Sequence, residues 1–452
     1  MKILLIASNT AMTPYPVYPL GLSMVARALL DADHTVKQLD FLEQEKSLAA
    51  LQKEAKTFSP DIVGISIRNI DNVNLVNEQR YIDAVGDIVA SLKKITPATI
   101  ILGGAGFSIL PREILKATGA DYGISGEGEK AMVDFCQNAA KNIYPQEKII
   151  FGGKNLTGKE ISSAAYDERI MQFYLKSGQM AGVQTKRGCA YGCIYCTYPF
   201  LEGNTLRVRD AAEVVKDMKH LFEAHKAGYI FFTDSVFNDD EGFYLNILHE
   251  MERQKMVIPW TAFIKPSRFL DVRAVELMKA TGLKAVEIGA DAATDITLKG
   301  IGKDFDFDEV RRTNDLFGGQ GIACAHYYMF GGPGETKETV LEGIENIKSL
   351  NKAVSFMFMG IRILPGTGLY DLAIKEKIIT GQTDLLVPVY YVAPGLDKAW
   401  LETTLTEGFK HNRNCIFPPD KLESSLQFLH KMGYSGSLWE MLLAERKRKP
   451  RS

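Results

Sequence analysis

Short apolar runs separated by helical stretches recur through the first 370 or so residues of this 452-residue chain, and that spacing excludes most ways of folding it. Residues 3–7, 62–67, 99–102 and 122–124 form the first set. Ile3-Leu4-Leu5-Ile6-Ala7 is apolar at every position, so both faces of such a strand need cover, as in a parallel sheet between helical layers. The run is too short for a signal peptide and leads into a Pro-rich loop. The pattern predicts an α/β, doubly wound, Rossmann-like domain over residues 1–140. In such folds ligands sit beyond the carboxyl ends of the strands. The loops to watch are therefore 8–21, 66–72, 103–111 and the Gly126-Glu127-Gly128-Glu129 turn.

Residues 141–180 are polar and Gly-rich without a sustained period and read as a linker. A second set of strand-like runs follows at 182–185, 229–232, 261–264, 285–288, 323–330 and 355–363, with amphipathic helices such as 211–224 and 273–281 between them. Six β/α units suit a partial (β/α)6 barrel of the triose-isomerase type over residues 181–370, whose active-site residues come from the carboxyl ends of its strands. Residues 371–452 read as a small, mainly helical cap. Its Tyr390, Tyr391, Trp400 and Trp439 are better explained as packing residues than as a binding surface.

Three of the six cysteines fall within Cys189-Ala190-Tyr191-Gly192-Cys193-Ile194-Tyr195-Cys196, just after the first barrel run. Thiolates prefer soft metals, and three on one loop can hold three irons of a 4Fe-4S cube while leaving the fourth open. Zinc is the competing ligand, but it takes four donors in structural sites, and no second Cys pair or paired histidines follow at finger spacing. Cys136, Cys324 and Cys415 are scattered singly, which argues against a disulfide framework.

The C-x3-C-x2-C spacing, with Tyr195 before the last cysteine, resembles the signature of radical S-adenosylmethionine enzymes. That resemblance implies that the amino and carboxylate groups of S-adenosylmethionine occupy the open iron, and that one-electron reduction splits the sulfonium to a 5′-deoxyadenosyl radical. Residues 1–140 resemble the cobalamin-binding domain that precedes many such enzymes. The match rests on Pro19-Leu20-Gly21-Leu22 at the entry to the first helix, Ser66 at the start of a Ser-x-Leu motif whose Leu is here Arg68, and the Gly103-Gly104 pair. The implied cobalamin contacts are Thr10, Ser66, Arg68, Asn69, Gly103, Gly104, Gly126 and Glu127. The loop after the first strand lacks the Asp-x-His-x-x-Gly motif, so no protein imidazole is expected on cobalt, and His34 reads as a turn residue.

Within the barrel, Phe232-Thr233-Asp234-Ser235 matches a turn that reaches the methionine end of S-adenosylmethionine, and Gly289-Ala290-Asp291-Ala292 resembles a Gly-x-Glu-Ser element with Asp in place of Glu. The resemblance thus implies Tyr195, Asp234 and Asp291 as S-adenosylmethionine contacts. Gly332-Pro333-Gly334-Glu335-Thr336 and Pro365-Gly366-Thr367 match the family's loops after the fifth and sixth strands. Glu335 reads as structural, and Tyr327, Tyr328, His326 and Arg362 carry no decisive motif. No acid, base or nucleophile is singled out as catalytic.

A formal net charge of -2 argues against nucleic-acid binding, and the basic tail at 446–451 reads as a solvated terminus. No apolar run reaches the roughly twenty residues of a membrane span, and oxygen-sensitive thiolates suit the cytoplasm. The function implied is a cobalamin-dependent radical methyltransferase acting on an unactivated carbon of a small-molecule or peptide substrate. It would draw electrons from a flavodoxin- or ferredoxin-type donor. The alternatives are a non-methylating cyclase or rearrangement enzyme of the same family, and a noncatalytic cobalamin sensor or carrier.

Overall fold

The computed structural model describes residues 1–12, 16–153 and 156–443. Part of the loop after the first strand and the basic tail lie outside the described residues. The chain divides into two compact units. One comprises Met1–Lys176, Ala181–His225 and Arg362–Tyr390, and the other Ser177–Met180, Lys226–Ile361 and Tyr391–Ser452.

The first unit is built on a parallel sheet of six strands, β1 (Lys2–Ala7), β2 (Thr35–Asp40), β3 (Ile62–Ser66), β4 (Thr99–Gly103), β5 (Tyr122–Gly126) and β6 (Ile149–Gly153). Their spatial order is β2-β1-β3-β4-β5-β6. Alternation along β1 shows why the run is apolar throughout. Leu4 and Ile6 enter a core with Val63, Ile65, Val85 and Ile88, whereas Ile3, Leu5 and Ala7 enter the opposite core with Leu22, Ala26 and Phe135. The expected doubly wound domain is therefore present, and the stretch read as a linker supplies β6 and the helix Glu168–Leu175 as well. In this order the switch point lies between β1 and β3, which places Asn9, Thr10 and Ser66 at the crevice where such sheets bind ligands.

The same unit holds the end of β7 (Met180–Val183) and the two-residue strands β8 (Lys186–Arg187) and β9 (Arg207–Val208), which pair antiparallel and enclose the cysteine loop. It also takes in the segment Arg362–Tyr390, which contains the helix Gly368–Lys375. Leu364, Tyr370, Leu385, Leu386 and Val389 of that segment pack on the core containing Ile67 and Ile70.

The second unit carries β10 (Tyr229–Phe232), β11 (Trp260–Ile264), β12 (Leu283–Asp291), β13 (Ala323–Phe330) and β14 (Ala353–Met359). The two-residue strands β15 (Ile361–Arg362) and β16 (Tyr390–Tyr391) mark where the chain passes between units, and β17 (Cys415–Ile416) follows. The sheet runs β17-β14-β13-β12-β11-β10, and the Gln179 carbonyl, just before β7, accepts the amides of Gly228 and Tyr229. This is the expected open barrel sheet. The last long strand stops at Met359 rather than continuing to 363, because Gly360 adopts φ +72° and turns the chain while its amide bonds the Phe330 carbonyl at 2.7 Å.

Alternation settles the paired tyrosines of β13. Tyr327 stacks on Phe356 in a core closed by Trp439, and its hydroxyl donates to Glu287 at 3.1 Å. Tyr328 is fully buried beside His326, and the imidazole bonds Asn314 of the helix Phe307–Gly319 at 3.0 Å. Burial pushes the His326 pKa down to about 3, so it is a neutral packing residue.

Candidate functional site

In the first unit the cysteine loop begins at Gly188, whose φ of +94° turns the chain tightly enough that a Cβ there would stand 2.1 Å from the Thr205 carbonyl. The Cys189 amide donates to the Gly203 carbonyl at 3.0 Å, and the Cys196 amide to the Cys193 carbonyl at 3.2 Å. None of the three is in a disulfide, and Cys189 is buried while Cys193 and Cys196 are half-buried. The Pro365-Gly366-Thr367 loop supports them. Leu369 donates its amide to the Ile194 carbonyl at 2.7 Å, and a Cβ at Gly368 would meet Ile194 at 3.2 Å.

Among the described residues, no three His, Cys, Asp or Glu side chains converge where a single ion could sit. A cubane asks for something else, since each thiolate binds its own iron and the sulfurs stand apart. Three unbridged thiols on one short loop fit that group by donor chemistry.

The residues implied for cobalamin also lie in this unit, at the carboxyl edge of its sheet. Ser66 and Gly103 end β3 and β4, and Gly126 ends β5. The edge is stitched together through the backbone: the Ile67 amide donates to the Gly103 carbonyl at 2.8 Å, and the Gly106 amide to the Ile67 carbonyl at 2.9 Å. Gly104, at φ +95°, has an internal reason to be glycine, because a Cβ would stand 2.5 Å from the Ile67 carbonyl. Gly103 does not, since its Cβ would meet nothing nearer than the Ile124 carbonyl at 3.7 Å. Arg68 is exposed, and its charge is felt at Tyr174 and Tyr198. Asn69, next to Arg68 in sequence, and Thr10, in the loop after β1, are half-buried. His34 lies at the opposite, amino edge of the sheet, 3.5 Å from the Met1 amino group. An open glycine position, an exposed arginine and an imidazole held at the far edge fit a corrinoid bound without a histidine from this loop.

Charged groups in this unit are arranged in ways the sequence does not display. Asp71, in the 66–72 loop, forms a buried ion pair with Arg362 at 2.9 Å, and Arg362 also donates to the Leu385 carbonyl at 2.6 Å. Arg187 pairs with Glu127 at 3.1 Å and with Glu129, while Arg207 reaches the same Glu127 oxygen at 2.7 Å. At the end of β2, Asp40 accepts from the Tyr174 hydroxyl at 2.9 Å, and burial raises its pKa to about 6.

The second unit carries the other two implied contacts. Asp234 follows β10 and is 1% exposed. Asp291 ends β12 in the left-handed region at φ +65°, where the register with β13 is irregular, and its carboxylate is paired with Lys303. Lys303 also donates to the Gly289 carbonyl at 3.1 Å. Lys265, just past β11, bridges Asp240 at 3.2 Å and Asp304 at 2.8 Å. Sequence alone offers Lys284 or Lys303 as a partner for Glu287, and the structure pairs Lys303 with Asp291; for Lys265 the available signal was a lysine placed directly after a barrel strand. Glu335 turns back onto the amides of Gly331 and Gly332, and burial raises its pKa to about 7.

Comparison with known proteins bears on both units. Residues 8–136 match the B12 binding domain family, and residues 183–359 match the radical SAM superfamily. The chain is 24% identical over 431 residues to a tryptophan 2-C-methyltransferase from Streptomyces laurentii, covering 78% of this chain and 72% of that protein. It is likewise 24% identical over 408 residues to an uncharacterized methyltransferase from Pyrococcus horikoshii, covering 84% of each. Among solved structures, TsrM from Kitasatospora setae, a radical S-adenosylmethionine methyltransferase with cobalamin and a 4Fe-4S cluster bound, superposes with a TM-score of 0.85 at 21% identity over 98% of this chain and 97% of that one. The same protein has been solved with tryptophan substrate and a S-adenosylmethionine analogue.

Proposed function

The chain belongs to the cobalamin-dependent radical S-adenosylmethionine enzymes, and from that premise we propose that it is a methyltransferase that moves a methyl group to a carbon of a small-molecule substrate. The observation that carries the reading is the set of three thiols outside any disulfide, Cys189, Cys193 and Cys196, in the same compact unit as the cobalamin-domain sheet. When bound, the cluster supplies the electron that splits the sulfonium and the corrinoid carries the methyl group.

The chain's own residues hold and orient. The three thiolates would each hold one iron, and the anchored amides of Cys189 and Cys196 set the shape of their loop. In our proposal Asp234 and Asp291 receive the ammonium or ribose of S-adenosylmethionine, with Lys303 setting the direction of the Asp291 carboxylate. Gly103 would leave room at the sheet edge for the nucleotide tail of cobalamin, and Ser66, Arg68 and Asn69 of the adjoining loop would help to hold it. A flavodoxin- or ferredoxin-type protein supplies electrons.

The test is anaerobic turnover with methyl-labelled S-adenosylmethionine, hydroxocobalamin and a reductant, using tryptophan as the first substrate offered and a panel of small molecules and peptides after it. Label in the product together with S-adenosylhomocysteine supports methyl transfer. Attack on an unactivated carbon adds one 5′-deoxyadenosine per product, because a hydrogen atom must be removed first. Substrate conversion without label transfer would sink the methyltransferase reading in favour of cyclisation or rearrangement.

A further inference from the structure

The cysteine loop is held at both ends by one carboxylate that belongs to a different part of the chain. Arg187 and Arg207 are register partners across β8 and β9, the two short strands that open and close the loop. Both guanidinium groups converge on Oε1 of Glu127, Arg187 at 3.1 Å and Arg207 at 2.7 Å. The other carboxylate oxygen accepts the Leu156 amide at 3.2 Å. Arg187 also binds Glu129, so two cations face two anions with side-chain exposures between 7% and 14%. The Glu127 backbone is anchored on β6, its amide donating to the Gly153 carbonyl at 3.2 Å, and it packs so closely there that a Cβ at Gly152 would stand 2.0 Å from its carbonyl. The turn leaves β5 at the sheet edge that carries Ser66 and Gly103.

We infer that Glu127 is a positioning residue for the cysteine loop, fixing the thiolates against the carboxyl edge of the first sheet, rather than a group that touches cobalamin. A buried carboxylate whose oxygens are taken by two guanidiniums and an amide has little capacity left for a ligand. Breaking one arm leaves a buried cation without its anion, so the hairpin shifts and carries the loop with it. The inference rests on the cluster reading given above.

The experiment uses the full chain as wild type, E127Q and R187K, reconstituted with iron and sulfide in the absence of cobalamin. Iron content and the electron paramagnetic resonance spectrum of the reduced cluster, with and without S-adenosylmethionine, are compared, and hydroxocobalamin is titrated separately by visible absorbance. Both variants are expected to show altered g-values or a several-fold lower cluster content, with hydroxocobalamin affinity unchanged. A wild-type cluster spectrum in E127Q, or a defect confined to the cobalamin titration, overturns the inference. Should E127Q fail to fold by circular dichroism, R207K, which leaves the Arg187 pairs in place, carries the test by the same spectrum. A wild-type protein that takes up no cluster would instead remove the reading of the cysteine loop.

Discussion

Arg362 and Asp71 stand 291 positions apart in sequence and 2.9 Å apart in space, both buried. The pair joins the segment that follows the last long barrel strand to the loop after β3, where the cobalamin contacts are proposed. Arg362→Ala leaves the Asp71 charge buried alone and is expected to cost about 3–5 kcal/mol. The check is the shift in urea midpoint. The double variant R362L/D71L should lose less than R362A alone, since it leaves no orphan charge, and an equal or greater loss would contradict the account.

Two neighbouring glycines separate fold from ligand. Gly104→Ala places a Cβ 2.5 Å from a carbonyl at a positive φ, so it should destabilise the unit by about 1–3 kcal/mol whether or not cobalamin is present. Gly103→Ala meets no close atom, so its melting temperature should match wild type. Weaker hydroxocobalamin binding by G103A at unchanged stability is the expected result, and normal binding would remove Gly103 from the cofactor site.

Cys193→Ala leaves two of the three thiolates and should abolish cluster absorbance and turnover. Hydroxocobalamin should still bind, because the sheet edge proposed to receive it does not depend on that thiol. Activity retained without a cluster would point to the noncatalytic reading.

Lys303→Met removes the cation that orients Asp291. The expected outcome is a rise in KM for S-adenosylmethionine of about ten-fold or more, the scale of one lost charge-assisted hydrogen bond, with a smaller change in kcat. Isothermal titration with S-adenosylmethionine checks it directly, and unaltered affinity would take Asp291 out of the site.

Glu335 offers a pH test. Burial raises its folded pKa to about 7, above the ordinary 4.5, so the folded chain binds the extra proton between those values. Its contribution to stability is fully present below about pH 4.5 and is lost as pH rises through 7, a change of about 3 kcal/mol from the size of the shift. The wild type should therefore lose stability relative to E335Q between pH 5 and 8. Parallel melting curves for the two proteins would refute the assignment.

Much of this was legible in the residues. The unbroken apolar run of β1 announced a strand covered on both faces, and its alternate side chains do enter two different cores. The cysteine spacing points to a cluster loop, and the three cysteines lie on one short loop outside any disulfide. Gly104 was noticed for its place in a glycine pair, but its reason, a carbonyl from another loop at 2.5 Å from a would-be Cβ, is invisible without coordinates. The strand expected to reach 363 stops at Met359, because the turn at Gly360 depends on a hydrogen bond that its amide donates to a β13 carbonyl.

Local chemistry is written in local spacing: apolar periodicity, the cysteine interval and the loop glycines act over a few residues, so reading along the chain recovers the strands, the two families of motif and the cluster. Which charges are buried and against what is a different kind of fact. Nothing along the chain, whose net charge is -2, pairs Glu127 and Glu129 with Arg187 and Arg207, Asp71 with Arg362, or Asp291 with Lys303. Their pairing depends on Coulomb attraction in a desolvated setting, which exists only after distant segments have been brought together and water excluded. The cofactor chemistry of this protein is therefore spelled out along the chain, whereas the positioning of its cysteine loop is a property of the folded molecule.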